Sequence, residues 1–348
     1  MSSSTSGRDI AVSFIGGFLA ALVLLSLIAL LALRNSDAYG LGHWKLNARM
    51  PLASTWMNLG YWIDSKGEPI EIFEEACGNL LREILRTAGL LQSDQSAQNQ
   101  KNKSLAVLDL GFGCGDQTFE LVRLTQPVDG WDNFRYVGLT LNLAQLQTAS
   151  RQVARELQGS STLNSDSFKL FCADAARPET WDSQTAQAVE SLAHPDIEER
   201  WLLALDCLYH FQPSRKPVFR HAAKKLNANA MAFDLILNDK ASWRDVWRAR
   251  LVCVVMRCPV KAFRTEAEYR AELVESGYDA DQIIIKDISE HVFEPVSSFL
   301  AKQERALSLY GVSMGGYKLA GRIFGWFGRS RVVKAVVVVA RTPKSPSS

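Results

Sequence analysis

Short apolar runs that end in turn residues and pass into helix-compatible sequence recur along this chain beyond residue 105, and few folds accommodate that alternation. Residues 105–110 run into glycine-rich sequence and then into QTFELVRL, which reads as strand, tight turn and helix. Residues 136–141 precede a helix over 143–157, and residues 168–173 form a third run. A fourth, 201–205, comes before a helix near 216–226, and residues 231–237 make a fifth. Strands alternating with helices predict an α/β fold, a doubly wound and mostly parallel sheet covered on both faces. Two β-branched runs, 282–288 and 332–340, flank a helical stretch containing 299–309.

The N-terminal part reads differently. Residues 10–33 are apolar, small or Ser, with no charge. At about 1.5 Å per residue such a run crosses a hydrocarbon core about 30 Å thick, so a single transmembrane anchor is expected after a short tail, 1–9. A cleaved signal peptide competes, but the run exceeds a usual h-region of roughly 7–15 residues and has little basic sequence before it. Arg34, Lys45 and Arg49 follow the run while Arg8 alone precedes it, so the positive-inside tendency places the remainder in the cytosol. Residues 34–104 then form an aromatic, partly helical cap segment with an amphipathic helix over 71–90, followed by a polar loop over 92–104. Residues 105–342 form the main domain and 343–348 a disordered tail. With 39 basic against 37 acidic residues, nucleic-acid binding has no support, and six cysteines without CxxC spacing predict neither a metal site nor a disulfide framework.

The most informative string is VLDLGFGCGDQT, residues 107–118. Its glycines, Gly111, Gly113 and Gly115, let the chain turn sharply and let backbone approach a ligand that a Cβ would obstruct. A ligand-free tight turn is the plain alternative. A dinucleotide site is disfavoured, because the third glycine comes two residues after the second rather than three. The string resembles the first motif of class I S-adenosylmethionine-dependent methyltransferases, hhDhGxGxG, and the later elements keep that family's order over residues 53–342. The resemblance implies S-adenosylmethionine as cofactor, with Asp109 near its methionine end. At the second strand most family members carry an acid where Thr140 stands; here GLTLN is similar to the sterol, tocopherol and cyclopropane fatty acid methyltransferase group. That similarity implies ribose and adenosine contacts from Thr140, Leu141 and Asn142, with help from Gln145. At the third strand it sets Asp174, followed by Ala175, against the adenine amine, a donor that a carboxylate suits. Upstream, STWMNLGYW resembles the NxGYW segment of small-molecule and lipid methyltransferases, implying Tyr61 beside the cofactor and Trp62 shaping the pocket.

The fourth strand ends in LALDCLYHFQP, where the family places acceptor-facing groups. His210 is the candidate general base, because methyl transfer to oxygen releases a proton and an imidazole titrates near neutrality; a structural histidine is the alternative. Residues 241–263 combine apolar residues with arginines, which fits a helical lid over an apolar acceptor, a membrane-interface segment or an ordinary buried helix. The expected protein is a membrane-anchored methyltransferase acting on a hydrophobic small molecule or lipid. Its rivals are a dinucleotide-dependent oxidoreductase and a catalytically inactive, membrane-tethered interaction protein of the same fold.

Overall fold

The computed structural model describes residues 14, 17–26, 54–91, 104–126, 133–158 and 165–343. It divides into two units, residues 1–50 with 303–314, and residues 51–302 with 315–348. In the first unit, residues 14 and 17–26 are helical and exposed. Among the described residues no helix is long and apolar enough to cross a membrane. The rest of the predicted span, most of the predicted polar loop and residues 344–348 lie outside the described residues.

The second unit begins with an extended strap, residues 54–72, and helix α1, Phe73–Ala88. Leu80, Leu81, Ile84 and Leu85 form its buried face, and Gly89 ends it at φ 76°, a left-handed cap favouring glycine. Strand β1 (Ser104–Leu110) leads through the glycine loop to α2 (Asp116–Thr125), then β2 (Asn133–Thr140), α3 (Leu143–Leu157) and β3 (Phe168–Cys172). Next come α4 (Ser183–Glu190), β4 (Glu199–Leu205), α5 (Lys216–Lys225), β5 (Asn229–Leu237) and α6 (Trp243–Val255). Helix α7 (Glu266–Ser276), β6 (Ile283–Asp287), α8 (Phe293–Ser308, of which residues 303–308 fall in the first unit), α9 (Gly316–Ser330) and β7 (Val333–Ala340) complete the order.

The seven strands follow the order β3-β2-β1-β4-β5-β7-β6. All neighbours pair parallel except β7, which runs antiparallel between β5 and β6. Neighbouring residues of β1 face opposite core layers: Val107 packs in the layer containing α1 and Phe327 of α9, Leu108 in the layer containing Phe219 of α5 and Tyr269 of α7. Burial on both faces explains why the strands read as continuous apolar runs instead of alternating ones.

Two features place the site. Strand order reverses between β1 and β4, which opens a crevice beyond their carboxyl ends. Register then aligns the exits, with Leu110 opposite both Leu139 and Ala204, so the ends of β1, β2 and β4 meet at one edge. Gly138 keeps that edge tight, since a Cβ there would lie 2.6 Å from a ring carbon of Phe112.

Away from this edge, Arg215, Asp234 and Tyr269 form a buried polar knot. The Arg215 guanidinium pairs with the Asp234 carboxylate and donates to the Ala262 carbonyl. The Tyr269 hydroxyl donates to Asp234 at 3.0 Å, and the guanidinium lies 4.6 Å from that ring's centroid. The knot ties the start of α5 to β5 and α7.

Candidate functional site

A cavity of about 630 Å³ opens at the carboxyl edge, lined from the strap, the glycine loop and the ends of β2, β3 and β4. That volume lies within the range of roughly 300–1,000 Å³ typical of small-molecule sites.

The floor is the glycine loop. Gly111 and Gly113 line it at φ 71° and 65°, conformations that side chains rarely adopt. Each has its own reason to lack a Cβ. One at Gly111 would lie 3.1 Å from the Cβ of Cys207, whereas one at Gly113 would face open cavity, meeting only the Met57 methyl at 3.9 Å. Gly115 does not line the cavity. At φ 108° it caps α2, and a Cβ there would come within 2.8 Å of Gln152 and 3.3 Å of Ala149, so its role is the close approach of α2 to α3.

Asp109 also turns away. It is fully buried below the loop, and both carboxylate oxygens accept from Gln117 Nε2, at 2.7 and 2.8 Å. The Tyr136 hydroxyl donates to it at 2.7 Å. Burial pushes its carboxyl up to about 6. The cavity wall receives Gln117 in its place.

At the β2 end, Thr140, Leu141 and Gln145 line the cavity, and the Thr140 hydroxyl donates to Gln145 Oε1 at 2.8 Å. Asn142 does not line it, because its side chain is the N-cap of α3, accepting from Ala144 and Gln145 N–H. At the β3 end, Asp174 and Ala175 line the wall. One Asp174 oxygen accepts from Ala176 N–H at 2.9 Å, and the other lies 3.8 Å from Arg177 Nε.

The strap crosses the mouth. Thr55 donates from both its backbone N–H and its hydroxyl to Asp116 at the start of α2. Leu59 N–H donates to Asp206 at the end of β4, at 2.9 Å. Thr55, Trp56, Met57 and Asn58 therefore line the cavity, and the expected Tyr61 and Trp62 do not. Tyr61 packs edge-on against His291, ring centroids 5.4 Å apart, and Trp62 packs on Phe73 and Phe299. An amphipathic aromatic pair went to the core because α1 and α8 supplied an apolar bed for it.

The fourth wall mixes apolar and ionisable groups. Leu205, Asp206, Cys207, His210 and Phe211 line it. Asp206 sits at φ 62°, accepts from the Tyr209 hydroxyl at 2.7 Å, and has its carboxyl pushed up by burial to about 7. Sequence reading picked His210 from this string and passed over Asp206, although an acid immediately after a buried strand was the available signal. Partial burial lowers the His210 pKa. Its Nδ1 lies 3.3 Å from the Cys258 sulfur, which itself reaches the Met256 carbonyl at 3.5 Å. Burial holds that thiol protonated, with its pKa up to about 12. When the thiol hydrogen points to Met256 and the imidazole hydrogen is on Nδ1, the sulfur accepts Nδ1–H and Nε2 keeps the lone pair that takes a proton.

No family model and no curated protein matches the chain. Solved structures do match in fold. A cyclopropane synthase from Mycobacterium tuberculosis aligns at TM-score 0.55 and 14% identity, over 82% of this chain and 90% of that one. The mycolic acid cyclopropane synthase CmaA1 aligns at 0.55 and 16%, over 83% and 95%. A geranyl diphosphate C-methyltransferase from Streptomyces coelicolor aligns at 0.50 and 13%, over 89% and 94%. The chain thus has the fold of class I S-adenosylmethionine-dependent methyltransferases, as its glycine string implied.

Proposed function

We propose that this protein is an S-adenosylmethionine-dependent methyltransferase acting on a hydrophobic small molecule or lipid, anchored to a membrane through residues 10–33 with its main domain in the cytosol. The observation that carries this reading is a glycine floor open to the cavity between polar groups at the ends of β2 and β3 on one side and Leu205, His210 and Phe211 on the other. The residues fit the cofactor. Asp174 offers an oxygen to a purine amine, and the Thr140–Gln145 pair offers hydroxyl and amide to a ribose. Leu141, 73% exposed, and Ala175 supply apolar surface between those groups. Gly113 provides the close backbone approach that a methionine tail needs.

When bound, the cofactor supplies an electrophilic methyl group attached to a sulfonium. The chain's own contribution is placement. Leu205 and Phe211 would hold an apolar acceptor in line, and the strap with Met57 would exclude water, since orientation supplies much of the barrier reduction in such displacements. For a hydroxyl acceptor, His210 would take the released proton.

Calorimetric titration tests the reading: S-adenosylmethionine should bind and a nicotinamide dinucleotide should not. Gly113→Leu should abolish that binding yet leave a folded chain, because the left-handed backbone costs only about 1–2 kcal/mol while the side chain fills the cavity. Unchanged affinity in this variant would remove the glycine floor from the site. The anchor is tested separately by alkaline carbonate extraction. Full-length chain should stay with the membrane and a chain lacking residues 1–34 should be released; retention of the truncated chain would refute a single N-terminal anchor.

A further inference from the structure

Helix α6 is apolar on two sides, and only one of them is used by the fold. Ala249 and Cys253 are 1% exposed and face the core, with Val252 and Met256 half-buried beside them. On the other side Trp243, Trp247, Leu251, Val254 and Val255 follow one another at helical spacing and are between 56% and 70% exposed. A stripe of two tryptophans and three aliphatic residues left to water costs free energy unless something covers it.

Charge says what covers it. Arg244 and Arg248 border the stripe on one edge and Arg250 on the other, all exposed. Between Lys240 and Arg264 stand seven basic residues against one acid, Asp245, in a chain whose total charge is only +2. Asp245 is engaged locally, capped by Ser242 and paired with Arg248 at 3.2 Å. Arg244 lies over the Trp243 ring, 5.4 Å from its centroid, leaving an indole and a guanidinium stacked at the start of the helix. Indoles prefer the headgroup boundary, and arginines flanking an apolar stripe can extend to phosphates while their stems stay in the apolar layer.

We propose that α6 docks flat on an anionic lipid surface, its tryptophan stripe entering the acyl boundary and its arginines meeting lipid phosphates. Docking also orients the cavity. Cys258, just beyond α6, touches His210 on the cavity wall, so the helix that meets the lipid adjoins the proposed acceptor side. That the acceptor comes from the lipid phase rests on the function proposed above; the docking does not.

The test uses full-length protein reconstituted with vesicles of phosphatidylcholine, with or without phosphatidylglycerol, whose acyl chains carry bromine to quench indoles in contact with them. No cofactor is present, so failure of the methyltransferase reading leaves this measurement unaffected, and retained cofactor binding would survive failure of the docking. Replacing Trp243 and Trp247 together by Phe should remove a distinct share of the quenching seen with wild type, whatever the N-terminal segment contributes. The triple variant Arg244→Ser, Arg248→Ser, Arg250→Ser should lose that same share in phosphatidylglycerol vesicles, as should wild type in high salt. All these side chains are exposed, so unchanged thermal midpoints confirm that the fold persists. Quenching that is the same with and without the two tryptophans overturns the docking, as would happen were α6 a lid over the cavity or the contact of a second copy. Quenching indifferent to phosphatidylglycerol and to the arginines overturns the anionic partner.

Discussion

His210→Ala is expected to slow methyl transfer to a hydroxyl acceptor by roughly 10²–10⁴-fold, about 3–5 kcal/mol of barrier, while S-adenosylmethionine still binds. The separation follows from position: His210 stands on the wall beyond the end of β4, and the groups assigned to the cofactor come from the glycine floor, β2 and β3. The pH profile gives the sign. Burial lowers the imidazole pKa from its ordinary value of about 6.5, so the neutral base is present at neutrality. The wild-type rate should stay level near neutral pH and fall as pH drops through that lowered pKa. The variant should lose this acid limb. Cofactor binding by calorimetry and turnover with labelled S-adenosylmethionine across pH provide the check. A variant with weakened cofactor binding and a lowered thermal midpoint would make His210 structural, and near-wild-type turnover would end its assignment as base.

Arg215→Met should lower stability by about 3–5 kcal/mol, because it leaves the Asp234 carboxylate buried with a hydroxyl and a backbone N–H but no cation. At about 2–4 °C per kcal/mol for a domain of this size, the melting midpoint should drop by roughly 6–20 °C. The cost comes from the orphaned charge more than from any net worth of the pair. The double variant Arg215→Met, Asp234→Leu should therefore regain much of the loss, since apolar replacement of a buried pair is often neutral. Differential scanning calorimetry of the single and double variants decides it. An unchanged midpoint in the single variant would mean that water or a rearranged side chain reaches Asp234.

The course of the chain was legible in its sequence where the cause is local. Helix α3 matches the expected 143–157, the five parallel strands lie within a few residues of their apolar runs, and Gly89 caps α1 as a breaker should. Alternation of apolar runs with helical periods reports burial on both faces of a sheet, and left-handed glycines report a turn. Short helices α4 and α7 escaped this reading, although Thr265 and Glu268 form a capping box that marks the start of α7. The antiparallel insertion of β7 also escaped it, because a β-branched run carries no sign of its direction.

Which polar atoms face the cavity was decided only by the fold. A side chain's type limits the bonds it can make, but its partner is chosen by whatever the fold brings near. Asp109 spends its carboxylate on Gln117 and Tyr136, and Asn142 spends its side chain on the turn that follows it. Asp206 holds the N–H of Leu59, 147 residues away in the chain, and so becomes part of the wall. Helix α6 makes the same point about apolar groups. Its sequence mixes apolar residues with arginines, and only the packing shows that Ala249 and Cys253 are buried while Trp243, Trp247, Leu251, Val254 and Val255 stay exposed.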